Sequence, residues 1–348
     1  MMSGLKEILI SVIYWTFASF FIVTVRFVGI DFFLETPLNI SVIEIYITTM
    51  PGGVILGLIW GLIEIAHNRI ISKKTKSFGI LVLSRTLIYT ISFIIIAFFA
   101  SWIASGSLEL AKSYIVSTFI LVNFVLFTIT AFLFVFFKQM NRKFGPGILF
   151  QYITGKYFNP KEENRIFMFL DLKSSTSIAE KLSHVLYSKF IQDCFSELTN
   201  PVLDYKGQIY QYVGDEAVIT WGKKDGLIDA NCVNFYYDYI NRLDRKREHF
   251  LQSYEVFPEF KAGLSMGLVT TAEVGELKTE IAYHGDVLNT AARIQGFCNE
   301  FNKPLLASEI FVQELGEHEN IEINLIGEIQ LRGKEGLSKI FSIESTYS

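Results

Sequence analysis

The chain has 348 residues, which is enough for one large domain or two ordinary ones. It is 51% hydrophobic and only 19% charged, so a wholly soluble protein is disfavoured. The formal net charge of −4 gives no sign of nucleic-acid binding. The three cysteines are too few and too scattered for a zinc site or a disulfide framework, so we expect free, buried thiols.

The hydrophobicity is concentrated in four apolar blocks within the first 140 residues. Each block is longer than the about 20 residues that a helix needs to cross a bilayer. The first block has too long an apolar core for a cleaved signal peptide, so we interpret it as the first span. The sequence therefore predicts a four-helix transmembrane domain over residues 1–143. The blocks cover residues 5–30, 40–66, 80–104 and 114–137.

Basic residues in the connections indicate how the four spans are oriented. They precede the first span and follow the second and fourth, whereas the other two connections carry three acidic residues and one lysine. By the positive-inside rule, we expect both termini to be cytoplasmic in a multi-pass protein of the inner cell membrane. The basic residues are Lys6, Arg69, Lys73, Lys74, Lys76, Lys138, Arg142 and Lys143.

Four charged residues lie inside the predicted spans. Arg26 and Glu44 lie near the outer ends of their helices, and Glu64 and Arg85 lie near the inner ends of theirs. Matching depth and opposite charge predict two interhelical pairs. The alternative is that each side chain extends to the nearer membrane interface.

A stripe of small residues in the second span predicts close helix packing. Gly53, Gly57 and Gly61 follow one another at every fourth position, which places them on one helix face. The stripe could pack within one bundle or between two chains, and the sequence leaves both options open.

The composition changes after the fourth span. Gly145, Pro146 and Gly147 interrupt the helix, and a short amphipathic piece then leads to a charged run at 161–163. We interpret residues 144–164 as a linker that couples the membrane domain to a second domain at 165–348.

The second domain alternates predicted strands and helices. Its order of strand, helix, hairpin, helix and strand is typical of a ferredoxin-like core, an α+β fold. Ser177 and Glu180 fit a capping box for the first helix. The predicted strands are 166–171, 208–213, 217–221, 260–268, 281–284, 305–308, 328–331 and 340–343, and the predicted helices are 177–203, 227–251 and 287–299.

Two carboxylates are predicted to meet at one edge of this sheet. Asp171 ends the first strand and Asp215 lies at the hairpin turn, which a ferredoxin-like sheet places beside that strand. A few carboxylates together with substrate phosphates suit Mg²⁺. Ser174, Ser175 and Thr176 lie between Asp171 and a helix N-terminus, where main-chain N–H groups suit phosphate. The alternative is that both aspartates are ordinary strand-end and turn residues.

Three motifs occur in the order expected for one family. They are FLDLKSST at 169–176, YVGDE at 212–216 and GDVLNTAAR at 285–293. Together they resemble the class III adenylate/guanylate cyclase catalytic domain over residues 160–345. The arrangement of a membrane bundle followed by one such domain looks like that of bacterial membrane-bound members.

The resemblance implies a role for each matching position. It implies that Asp171, Leu172 and Asp215 bind two Mg²⁺ or Mn²⁺ ions, and that Asn289 and Arg293 orient the ribose and stabilise transition-state charge. The alternative for the last two residues is a helix cap and a solvated helical charge. The implied substrate-binding positions are Ser174, Ser175, Thr176, Gln211, Gly214, Lys278, Ala282, Arg332 and Lys334. Of Arg332 and Lys334, either one could contact the triphosphate.

The resemblance also implies a homodimer that converts ATP to 3′,5′-cyclic AMP and pyrophosphate. One chain would supply the aspartates, and its partner would supply Asn289 and Arg293. The base-reading positions depart from the family. Gln211 stands where many adenylate cyclases have Lys, Ala282 stands where they have Asp or Thr, and the usual guanine-reading pair is absent. Gln211 can donate and accept, so a guanylate cyclase stays an alternative, and Lys278 is either a compensating residue or a solvated loop lysine.

Three other functions compete with this hypothesis. A diguanylate cyclase would need glycine in place of Val213, and it leaves Asn289 and Arg293 unexplained. A catalytically inactive, nucleotide-binding receptor would explain the changes at Gln211 and Ala282. A small transporter is disfavoured because only four spans precede a large phosphate-handling domain.

Overall fold

A computed structural model describes residues 2–26, 42–70, 77–145, 147–330 and 336–346. The chain divides into two compact units, Met1–Phe144 and Gly145–Ser348. In its described residues the first unit is helical, whereas the second is built around a mixed β-sheet.

The first unit contains four helices that are long and apolar enough to cross a membrane, as the sequence predicts. Trp15, Trp60, Tyr89 and Phe127 form its buried aromatic centre, while many aliphatic side chains on the outside are exposed. That distribution suits an apolar solvent. Its helices are α1 Met2–Val23, α2 Val42–Ile70, α3 Phe78–Ser105, a short α4 Leu108–Ile115, and α5 Thr118–Phe144.

A buried ion pair joins α2 and α3 and confirms one predicted interhelical pair. Arg85 Nη1 donates to Glu64 Oε1 at 2.6 Å, and both side chains are at most 3% exposed. Tyr89 also donates to Glu64, and the Lys138 ammonium on α5 lies 3.1 Å from the same carboxylate. Lys138, which the sequence assigned to a connection, therefore ties α5 to the pair. Of the other predicted pair, Arg26 is buried, whereas the Glu44 side chain lies outside the described residues.

The glycine stripe of α2 packs against α1 of the same chain. A Cβ atom at Gly57 would lie 2.5 Å from Val12 Cα, and one at Gly53 would lie 2.9 Å from Thr16 Cα. Real Cβ atoms do not approach this closely, so the stripe lets the two backbones come together. Of the two options that the sequence left open, packing within one bundle is the one observed.

The second unit has a sheet whose centre follows the predicted ferredoxin-like order. Its neighbouring strands run β2-β3-β1-β4-β6-β8-β7, and β5 pairs with β4. The first four in this list are antiparallel neighbours, and β6 is parallel to β4. The strands are β1 Lys161–Leu172, β2 Gln208–Val213, β3 Glu216–Gly222, β4 Phe260–Val274, β5 Glu280–His284, β6 Leu305–Ser308, β7 Ile321–Gln330 and β8 Leu337–Ser345.

Helices cover the sheet unequally. The main core lies between one sheet face and most of the helices, and a smaller core on the opposite face packs against α6 and α13. Alternation along β1 assigns Met168 and Leu170 to the first face and Phe167 to the second. The helices are α6 Ile148–Ile153, α7 Ser175–Lys181, α8 His184–Ser196, α9 Thr199–Asp204, α10 Lys223–Leu227, α11 Asn231–Arg245, α12 Arg247–Tyr254, α13 Asp286–Gly296 and α14 Glu309–Leu315.

Several predicted boundaries differ from the observed ones. The single helix predicted over 177–203 is three helices, because Ser183 caps α8 by accepting a hydrogen bond from the Leu186 N–H. The predicted capping box of Ser177 with Glu180 is wrong, since α7 begins at Ser175 and follows Ser174. The predicted linker at 144–164 overlaps two elements, because α6 lies within it and the charged run at 161–163 begins β1.

Candidate active site

Asp171 and the hairpin turn lie side by side at one edge of the sheet. Asp171 in β1 pairs with Glu216, the first residue of β3. Gly214 and Asp215 form the turn between β2 and β3, and Gly214 has a φ of 63°. Glycine adopts this left-handed conformation without strain, so the turn can place Asp215 next to the end of β1.

Strand alternation decides which sheet face carries Asp171. It has the same parity as Phe167, so its carboxylate lies on the face that packs against α13. Leu172 has the opposite parity, and its side chain is 1% exposed in the main core. Leu172 can therefore offer a cation only its main-chain carbonyl.

The carboxylates at this edge repel one another. Burial raises the pKa of Asp171, and neighbouring Asp215 raises it further against the opposing effect of Lys261. Burial, Asp171 and Asp215 together raise the pKa of Glu216 to about 7. Burial raises the pKa of Tyr187 on α8, and Asp215 and Asp171 raise it further. The edge is thus a concentration of negative charge that one lysine offsets in part.

Two side chains hold one oxygen of Asp171. Gln295 Nε2 on α13 donates to Asp171 Oδ2 at 2.8 Å. The Lys261 ammonium on β4 lies 3.4 Å from the same oxygen. Neither residue is predicted from the sequence, because their contacts depend on how α13 and β4 pack beside β1. The position of Gln295 two residues beyond Arg293, which ends the GDVLNTAAR motif, was the available signal.

The donor set suits a hard divalent cation. Carboxylate and carbonyl oxygens are the ligands that Mg²⁺ and Mn²⁺ prefer, and a cation would relieve the repulsion at this edge. Among the described residues, no group of three or more His, Cys, Asp or Glu side chains is arranged to hold a metal ion. Asp171 and Asp215 would therefore share the cation with main chain, water or substrate phosphate, which is how Mg²⁺ is usually bound.

The predicted phosphate-binding segment lies directly after Asp171. Ser174 and Thr176 are exposed and Ser175 is half-buried at the start of α7. Ser174 has a φ of 58°, and its side chain makes no capping hydrogen bond. The structure thus places these hydroxyl groups near the carboxylate edge, within reach of solvent.

Asn289 and Arg293 project from the face of α13 that does not pack on the sheet. Val287, Ala291 and Ile294 are buried, whereas Asn289 is exposed and Arg293 is half-buried. The interpretation of Asn289 as a helix cap is wrong, because α13 begins at Asp286 after Gly285. Within the described residues, no hydrogen bond or ion pair joins Asn289 or Arg293 to the carboxylates of the same chain.

The predicted base-reading positions are spread over separate elements. Gln211 is exposed on edge strand β2, and Ala282 is half-buried in β5. Lys278 is exposed in the loop before β5 and forms an ion pair with Glu280. The two triphosphate candidates, Arg332 and Lys334, lie outside the described residues.

Comparison with known sequences identifies the family. A family model described as "Adenylate and Guanylate cyclase catalytic domain" matches residues 159–345, more than half of the chain. The chain therefore belongs to the adenylate and guanylate cyclase family. Members of this family bind nucleotide substrates and work as dimers.

Two curated relatives and one solved structure show the same similarity. The chain is 32% identical over 200 residues to adenylate cyclase 2 of Rhizobium meliloti, covering 58% of this chain and 55% of that protein. It is 23% identical over 186 residues to an adenylate cyclase of Anabaena cylindrica, covering 51% and 36% of the two chains. The chain thus spans about half or less of the length of these relatives. A bacterial light-regulated adenylyl cyclase shares the fold with a TM-score of 0.52 and 20% identity, over 61% of this chain and 62% of that one.

Proposed function

We propose that this protein is a membrane-anchored adenylate cyclase that converts ATP to 3′,5′-cyclic AMP and pyrophosphate in a homodimer. The observation that carries the proposal is the pairing of two features in one family domain. Asp171 and Asp215 form a negatively charged sheet edge, and Asn289 and Arg293 project outward from α13. The first feature suits metal-bound phosphates, and the second suits the ribose and the phosphoryl group of a nucleotide.

In this reaction the ribose 3′-oxygen forms a bond to the α-phosphorus and loses its proton, and the bond from that phosphorus to the pyrophosphate oxygen breaks. Two Mg²⁺ or Mn²⁺ ions held by Asp171 and Asp215 would activate the attacking hydroxyl and stabilise charge on the phosphates. Arg293 provides a planar fork of donors for the phosphoryl oxygens, and Asn289 orients the ribose from the same helix face. These residues act by positioning and charge stabilisation, without a covalent intermediate.

The outward direction of Asn289 and Arg293 supports a site shared between two chains. Asp171 instead bonds to Gln295, on the face of α13 of the same chain that packs inward, and to Lys261 on β4. A two-fold axis would give two equivalent sites, each with the aspartates of one chain and the α13 pair of the other. The dimer would therefore bring together the aspartates and the α13 pair, which do not meet within one chain.

ATP is the substrate we favour. Both curated relatives reported above are adenylate cyclases, and Gln211 can pair with a purine edge as donor and acceptor. A guanylate cyclase is the alternative, because positions 211 and 282 carry Gln and Ala and not the residues that usually read adenine or guanine.

The helical unit supports a membrane anchor. Its four long helices have mean hydropathies between 1.6 and 2.6, and their outer faces are apolar. Basic residues follow the second and fourth helices, which favours a cytoplasmic catalytic domain.

Product analysis tests the activity and the substrate together. The full-length protein in detergent micelles is incubated with Mn²⁺ and either ATP or GTP, and the products are separated and identified by mass spectrometry. We expect cyclic AMP and pyrophosphate from ATP. Cyclic GMP as the main product would show that GTP is the substrate. Nucleotide binding without any cyclic product would show an inactive receptor.

A further inference from the structure

Helix α13 serves two different surfaces. Asn289 and Arg293 occupy its outward face, whereas Gln295 is 7% exposed on its inward face. Under the shared-site arrangement, the outward face completes the partner's site. The inward face instead contacts the carboxylate of the chain's own site.

Gln295 fixes one oxygen of Asp171 and leaves the other available. Its amide donates to Oδ2 at 2.8 Å, and the Lys261 ammonium approaches the same Oδ2 at 3.4 Å. Among the described residues, Asp171 Oδ1 takes part in no hydrogen bond or ion pair. The carboxylate therefore has one oxygen bound from α13 and β4 and one oxygen available for a cation.

The backbone of α13 is held close enough for this contact by a glycine. A Cβ atom at Gly263 would lie 2.4 Å from both Ala291 O and Gln295 N. Gly263 in β4 pairs with Phe169, two residues before Asp171. The backbone of α13 at Gln295 thus rests directly on β4, which keeps the Gln295 side chain within hydrogen-bond reach of Asp171.

We propose that Gln295 is a positioning residue for the metal-binding Asp171, and that it acts in the site of its own chain although its helix completes the partner's site. This inference rests on the proposed cyclase activity and the shared site. Hydrogen-bond partners of ligating carboxylates orient those ligands, and their loss commonly weakens metal binding by about 10–100-fold. Without the amide, the carboxylate is free to turn toward Lys261.

The first test replaces the amide by a group of similar size that cannot donate. Gln295→Met is expected to raise the Mn²⁺ concentration for half-maximal cyclase activity about tenfold or more, with the nucleotide KM at saturating Mn²⁺ nearly unchanged. Mn²⁺ binding is followed independently by electron paramagnetic resonance in the presence of 3′-deoxy-ATP, which lacks the attacking hydroxyl. The matched control is Gln192→Met, because Gln192 is exposed on α8. An unchanged Mn²⁺ requirement and unchanged Mn²⁺ binding in Gln295→Met would overturn the proposal.

The second test uses full-length heterodimers, purified through two different affinity tags and assayed at limiting Mn²⁺. A dimer of Gln295→Met with Arg293→Ala keeps one site that has an intact Gln295 and Asp171 from one chain and an intact Arg293 from the other. We expect this dimer to recover the wild-type Mn²⁺ requirement. A dimer of Gln295→Met with Asp171→Asn has no such site, so it should keep the raised requirement.

A general disturbance of α13 predicts the opposite result for the two heterodimers. If Gln295→Met acted by distorting the helix, it would also impair Arg293 two residues away, and the dimer with Arg293→Ala would not recover. That result would overturn the proposal even when the wild-type enzyme is active. Absence of cyclic product from the wild-type protein would instead reject the proposed function, so the two failures are distinguishable.

Discussion

The helical unit and the carboxylate edge of the sheet both shield charged side chains from solvent, but they neutralise them differently. In the helical unit, Glu64 is surrounded by Arg85, Lys138 and the Tyr89 hydroxyl. At the sheet edge, Asp171 lies beside Glu216 and has Lys261 as its cationic partner. In the first cluster the chain supplies two cations to one carboxylate, whereas at the sheet edge three carboxylates share one lysine.

This difference separates a structural cluster from the proposed metal site. A desolvated charge is costly unless it is paired, so a chain normally pairs the charges that it buries. The Glu64 cluster follows that rule and joins three helices. The carboxylate edge departs from it, and a divalent cation from solution would complete its balance. Substitutions in the two clusters should therefore have different consequences, which the following predictions separate.

The largest effect is expected at the carboxylate edge and on catalysis alone. Asp171→Asn removes a charged metal ligand, so we expect the rate of cyclic nucleotide formation to fall by at least about a hundredfold, with little change in thermal unfolding. The rate is measured at saturating Mn²⁺ and ATP. Asp204→Asn, at a half-exposed position at the end of α9, serves as the control and should keep full activity. Comparable rates in the two variants would contradict the metal site.

The next effect is expected in the helical unit and on stability. Glu64→Gln leaves Arg85 buried without its anion, so the free energy of unfolding should drop by about 3–5 kcal/mol. Thermal unfolding in detergent micelles measures the change. Glu109→Gln is the control, because its ion pair with Lys112 is exposed and should contribute under about 1 kcal/mol. Equal unfolding temperatures in the two variants would show that the buried cluster does not stabilise the helical unit.

A smaller effect is expected for the glycine stripe. Gly57→Ala introduces a Cβ atom 2.5 Å from Val12 Cα, so it should destabilise the helical unit by about 1–3 kcal/mol. Gly52→Ala introduces a Cβ atom with nothing within 4 Å, so helix propensity should make it neutral or stabilising. Thermal unfolding and the oligomeric state are measured for both. Loss of a dimer in Gly57→Ala with unchanged unfolding would mean that the stripe packs between chains.

The smallest effect is the pH dependence of the carboxylate edge. The pKa of Glu216 is raised to about 7 in the folded protein from an ordinary value of 4.5, so folding favours its protonated form. The stability it contributes is present below about pH 4.5 and is lost as the pH rises through about 7. Without divalent metal, the unfolding temperature should decline across this window, and Glu216→Gln should lessen the decline. An equal decline in both proteins would contradict the charge cluster.

The sequence predicted the features that depend on local patterns. The apolar lengths predicted four long helices, and the strand order around the hairpin at Gly214 predicted the ferredoxin-like centre of the sheet. Equal depth in neighbouring helices predicted the pairing of Glu64 with Arg85. These features follow from residue periodicity and from the rules that govern neighbouring elements.

The remaining features depend on tertiary packing. Lys138 joins Glu64 because α5 lies beside α2 and α3, and no spacing in the sequence encodes that contact. Gln295 meets Asp171 because Gly263 lets α13 rest on the sheet. The break between α7 and α8 depends on the Ser183 cap, which the continuous helical pattern concealed.

The most direct test of the shared two-chain site mixes two inactive variants. Full-length Asp171→Asn and Arg293→Ala proteins, each inactive as a homodimer, are co-expressed with different tags, and the heterodimer is purified and assayed for cyclic AMP. One of its two sites has intact aspartates from one chain and an intact Arg293 from the other, so we predict up to about half of the wild-type activity. Purified heterodimers that remain as inactive as the two parents would contradict a site formed by both chains.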